Sequence, residues 1–133
     1  MGTEILQKIE EPIKTALREF LDWYGQRYAM PIDIQLDAHK ATIHIYHDIT
    51  EEIEECTISC VQQTKRILNK EVDEEKINES CRGSCFVEVV ATVDAMFDDI
   101  REELIKRLNK HGIRYWREEG WEDVYRYLVI HIQ

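Results

Sequence analysis

The chain has few of the residues that break regular structure. Its 133 residues include 5 Gly and 2 Pro, far below a collagen-like or low-complexity composition. Long apolar runs are missing too. The stretch Leu128-Val129-Ile130 is among the longest, whereas spanning a bilayer takes about 18 consecutive apolar residues. No membrane association is therefore expected. Residues 1–11 lack the basic start and apolar centre of a secretory signal, so a cytoplasmic location is the expectation. Basic charge is scarce: 17 Lys plus Arg stand against 27 Asp plus Glu, for a formal charge of −10. Binding to a phosphate backbone is driven by clustered Lys and Arg, so a nucleic-acid partner is disfavoured. The common catalytic signatures are absent as well. There is no nucleophile elbow, His-Glu-x-x-His run, glycine-rich phosphate loop or calcium loop.

What the sequence does hold is enough for a core. Hydrophobic residues make up 44% of the chain, which separates it from disordered sequences. No repeat, linker or low-complexity segment divides it, so one domain over 1–133 is expected. Apolar residues at Ile5, Ile9, Ile13, Ala16, Phe20 and Tyr24 follow the spacing of one helix face. Pro12 either bends that helix or starts a second one. Ile32, Ile34 and Leu36, then Ile43, Ile45 and His47, alternate with polar residues and predict a hairpin. This phase puts Asp33, Gln35, His44 and Tyr46 on the more polar face. Thr50, followed by Glu51, Glu52 and Glu54, predicts a helix start.

Residues 71–85 are polar and predict a loop, with Gly83 serving a tight turn. The β-branched stretch 86–93 predicts a buried strand. A helix capped by Asp94 and stopped by Gly112 comes next. Two last strands, 113–117 and 124–132, are joined around Gly120. The expected fold class is α+β, a two-layer sandwich in the order α-β-β-α-β-α-β-β. Its mixed sheet would have about five strands, with helices mainly on one face.

Cys56, Cys60, Cys81 and Cys85 form two four-apart pairs, the most specific pattern in the chain. Three readings stay open. The cysteines can be small buried hydrophobes on a helix face. As thiolates they can hold zinc or an iron–sulfur cluster, although a two-residue gap is the more usual metal spacing. They can also form disulfides between the helix and the segment 81–85. A bridge between Cys56 and Cys60 inside the helix is disfavoured, because four-apart β-carbons stand about 5–6 Å apart and a disulfide needs about 3.5–4.5 Å. Cytosolic disulfides are rare outside hyperthermophiles; the 17 Ile and 18 Glu lean mildly toward such a source.

Two other groups are candidate sites. His44, Glu88 and His131 would carry metal or acid–base chemistry if the strands brought them together. Tyr115, Trp116, Trp121, Tyr125 and Tyr127, interleaved with Arg114, Arg117 and Arg126, resemble the composition of a protein interface. The functional expectation is a small binding or accessory protein acting through protein–protein contact. Its partner would be another protein or a second copy in a homodimer, joined through the last strand pair. The alternatives are a four-cysteine metal or redox protein and a small hydrolase using the two histidines and Glu88.

Overall fold

A computed structural model describes the chain apart from Met1, Ala38 and residues 69–72, with side chains described from Glu11 onward. Among the described residues the fold is α+β. It comprises α1 (Gly2–Arg27), β1 (Asp33–Asp37), β2 (Thr42–Asp48), α2 (Thr50–Leu68), α3 (Glu74–Lys110), β3 (Tyr115–Glu122) and β4 (Tyr125–Ile132). The four strands form one antiparallel sheet in the order β1-β2-β4-β3. The residues cluster into two compact units. One contains Met1–His47 and Met96–Gln133, and the other is Asp48–Ala95.

The largest correction to the expected order concerns α3. Residues 86–93 are helix, not strand, so the sheet has four antiparallel strands instead of about five mixed ones. The expected loop is helical from Glu74 onward, and Gly83 sits inside that helix. Residues 71 and 72 of that loop lie outside the described residues. Asp94 is mid-helix and not at a helix start. The cap is Asp73, whose Oδ1 accepts from the amides of Glu75 (3.1 Å) and Lys76 (3.4 Å). The physical reason is periodicity. Cys81, Cys85, Val93, Phe97, Ile100, Leu104 and Leu108 are all buried at three-, four- or eight-residue steps, with Met96 beside Phe97 on the same side. This helical repeat outlasts a β-favouring run of eight residues, because β propensity is a weak, context-dependent preference.

The sheet-containing unit has its core on one face of the strands. Ile43, Ile45, Leu128, Ile130 and Ile132 are buried there, as are Ile13, Ala16 and Phe20 of α1 and Phe97, Ile100, Leu104 and Leu108 of α3. Pro12 lies within α1, which continues through it. His47 is buried on the apolar phase of β2, as expected for a core histidine. The C-terminus of α3 closes as the sequence suggests. Gly112 takes φ +70°, its amide donates to Asn109 O, and the Ile113 amide reaches back to Leu108 O. These two bonds form a Schellman cap, which favours glycine at this position. Gly120 does not make the last turn. It lies within β3 opposite Tyr127, and the turn passes through Asp123 at φ 53°.

Tyr24, buried near the end of α1, donates its phenol to Met30 O. Burial raises its pKa to about 12, with nearby Tyr28 adding to the effect. In the unfolded chain the same group ionises near 10. Folded protein thus holds the proton longer than unfolded protein as pH climbs. The Tyr24 contribution is complete below pH 10 and is lost progressively toward pH 12. We expect chemical-denaturation stability to fall over that interval and to fall less steeply in Tyr24→Phe. An equal slope in both proteins would refute the assignment.

The second unit is a pair of helices, α2 and residues 74–95 of α3, joined by two disulfides, Cys56–Cys85 and Cys60–Cys81. The Cα atoms of the bonded residues are 5.8 and 5.7 Å apart, within the ordinary range. Of the three readings of the cysteines, the bridged one describes this structure. The partners run in opposite directions along the two helices, which is the register of an antiparallel hairpin. Lys65 Nζ extends it by bonding Glu74 Oε1.

Candidate functional site

Pairing register sorts the strand residues onto two faces, since residues opposite each other in an antiparallel ladder point the same way. Asp33, Gln35 and Asp37 of β1 stand opposite Tyr46, His44 and Thr42 of β2. In the other half of the sheet, Trp116, Glu118, Gly120 and Glu122 of β3 stand opposite His131, Val129, Tyr127 and Tyr125 of β4. This is the face away from the buried apolar strand residues, and apart from buried Thr42 its side chains are partly or fully exposed.

A concavity of about 390 Å³ opens on this face between β2 and β4, lined by His44, Tyr46, Glu122, Tyr125, Tyr127 and Val129. Its walls are ordered by local contacts. The His44 ring lies 4.9 Å from the Tyr46 ring, and Gln35 Nε2 donates to Tyr46 Oη at 3.1 Å. A Cβ placed on Gly120 would come within 3.2 Å of Tyr127 Oη. The glycine therefore gives the Tyr127 phenol room to rest across β3. Beside the concavity, Trp116 stacks on His131 at 3.8 Å, and His131 Nε2 is 3.0 Å from Glu118 Oε2. Tyr125 and Trp116 remain 46% and 48% exposed, so the face presents open aromatic surface.

The sequence candidates fall out as follows. Trp116, Tyr125 and Tyr127 share the open face, while Tyr115 and Trp121 point to the other face, with Arg117 and Glu119. Arg126 also faces inward. Its side chain is 6% exposed, it donates to Gly120 O, Tyr127 O and Glu119, and its guanidinium lies 4.9 Å from the Phe97 ring centre. His44 and His131 both lie on the open face, but in separate groups. Glu88 is on α3 and not on the sheet, so the common strand face assumed for His44, Glu88 and His131 does not exist. Among the described residues no group of three or more His, Cys, Asp or Glu side chains is arranged to hold a metal ion. Tyr46, Glu122 and Val129 were missing from the interface set. Strand phase placed Tyr46 beside His44, but the neighbour relation of β2 and β4 is needed to bring it to Tyr125 and Tyr127.

No family model matches this chain, and no curated protein or solved structure matches it either.

Proposed function

We propose that the chain is a binding protein whose open sheet face engages another protein. The observation that carries this reading is the concavity between β2 and β4, walled by Tyr46, Tyr125, Tyr127 and His44 on a face with exposed Trp116. Tyrosine and tryptophan anchors are the residue types that dominate binding energy at interfaces. A recessed aromatic surface also meets the usual description of a binding site: concave, mostly apolar, with a few polar groups.

The compartment bears on the kind of partner. Among the described residues no helix is long and apolar enough to cross a membrane. Two disulfides fit poorly with the cytoplasm expected from the N-terminal sequence, because reducing cytosol keeps thiols free. They favour an oxidising compartment or a hyperthermophile interior. A zinc or iron–sulfur role for the cysteines needs free thiolates and so belongs to a reduced form of the protein.

Selection of random displayed peptides on the oxidised protein tests the reading. Enriched peptides should lose about tenfold or more in affinity when Tyr127 or Trp116 is changed to Ser, as expected for anchors. Lys76→Ala on α3 should leave them unchanged. Failure to enrich, or binders indifferent to Tyr127 and Trp116, would sink it.

A second copy of the chain is the other partner the sheet favours, because β3 is an eight-residue strand at the sheet edge. An edge strand presents a row of amides and carbonyls suited to pairing. Sedimentation over a hundredfold concentration range checks this. A single species at the 15.9 kDa chain mass throughout would exclude self-association.

A further inference from the structure

The open face has a strongly one-sided charge. Its strand positions include Asp33, Asp37, Glu118 and Glu122, and none of them is Lys or Arg. The arginines of the last hairpin are directed elsewhere. Arg117 lies on the opposite face, and Arg126 is buried there against Glu119 and Phe97. A face with exposed rings, acids and two histidines but no Lys or Arg disfavours phosphate and carboxylate groups and attracts cations.

We infer that the concavity between β2 and β4 is a pocket for the guanidinium of an arginine side chain carried by a basic peptide segment of the partner. The inference rests on the open face being the binding surface. Tyr46, Tyr125 and Tyr127 supply ring faces, and Glu122 at the pocket supplies the carboxylate. A planar guanidinium satisfies both demands at once. It stacks on an aromatic ring, where cation and ring quadrupole attract, and it presents paired N–H donors to a carboxylate. The volume of about 390 Å³ lies at the small end for ligand sites, suited to a side chain more than to a whole cofactor. Gly120 belongs to the same device, because a side chain at that position would push on the Tyr127 phenol 3.2 Å away.

The test uses the full, oxidised chain and three peptides with the same Gly-Ser framework. They carry two arginines, two citrullines (the neutral isostere) or two glutamates. A single-stranded oligothymidylate is the fourth probe. Binding is followed through the ring resonances of Tyr46, Tyr125 and Tyr127 by nuclear magnetic resonance. The arginine peptide should shift those rings and bind about tenfold more tightly than the citrulline peptide, the gain expected from a charge-assisted contact. Glu122→Gln should erase most of that preference. The citrulline comparison does not depend on any variant folding.

If citrulline and arginine bind alike and still move the tyrosine rings, the cation inference fails and the binding face stands. If none of the probes moves them at millimolar concentration, both fail. Preferential binding of the glutamate peptide or the oligonucleotide overturns the inference outright.

Discussion

Removing the two disulfides should strip hydrogen-exchange protection from α2 and from residues 74–95 of α3 by a hundredfold or more. Two helices offer each other little to bury. Ile49, Ile53, Thr57, Cys81, Cys85 and Val93 are buried in this unit, whereas Ile58, Ile67, Phe86 and Val87 stay exposed. A two-helix unit this small buries little surface and gains much from added constraint. Cys60–Cys81 and Cys56–Cys85 close chain separations of 21 and 29 residues, and a loop of that size corresponds to about 3 kcal/mol of unfolded-state entropy. That figure is roughly a hundredfold in an opening equilibrium. The two contributions will not sum fully, because once the inner bridge is closed the outer one closes a much smaller loop. The clean comparison is Cys60→Ala/Cys81→Ala, Cys56→Ala/Cys85→Ala and the variant lacking all four thiols. Protection within threefold of the parent in the last of these would show that helix packing, not cross-linking, holds the hairpin.

Glu119→Gln should lower thermal stability by about 3 kcal/mol, the lower end of the cost of breaking a buried charge pair. In a domain of this size that is a fall of very roughly 10 °C in Tm. Glu119 is the shared acceptor of two arginines. Arg101 Nη1 reaches its Oε1 at 2.9 Å, and Arg126 Nη2 reaches its Oε2 at 3.1 Å. The Arg126 side chain is 6% exposed, so the substitution removes a carboxylate that pairs with a nearly buried guanidinium. The control sits one residue away on the other face. Glu118 is 56% exposed and pairs with His131, so Glu118→Gln should change stability by less than about 0.5 kcal/mol, as for ordinary surface pairs. Equal effects of the two substitutions in a thermal melt would contradict this account.

How far the fold was legible can be seen residue by residue. The period-two alternation around Ile34 and Ile45 sufficed for the first hairpin. Ile13, Ala16, Phe20 and Tyr24 sufficed for α1, and Gly112 marked the end of α3. The stretch 86–93 misled because Val87, Val89, Val90 and Val93 carry a strand-like composition, while the helical repeat that overrides it is visible only over a longer window from Cys81 to Leu108. Strand phase correctly grouped His44 with Tyr46, and Tyr125 with Tyr127. Nothing local could say that β2 and β4 are neighbours, because sheet order is decided by long-range packing. The inward placement of Arg126 was hidden for a related reason. An arginine between two tyrosines looks like an exposed polar phase until the register assigns the tyrosines to the open side.

The β-favouring run inside α3 has a consequence for the life of the chain before it is finished. A nascent polypeptide has no bridges, and residues 86–93 then have no cross-linked partner helix. In that state Phe86, Val87, Val89 and Val90 form a short, weakly charged segment of high strand preference, the kind that templates intermolecular sheets. Glu88, near its centre, is the one charge that interrupts it. Each thiol oxidised in the correct register therefore also shortens the interval in which the chain is prone to aggregate. Maturation of this protein is in that sense a race between cross-linking and self-templating.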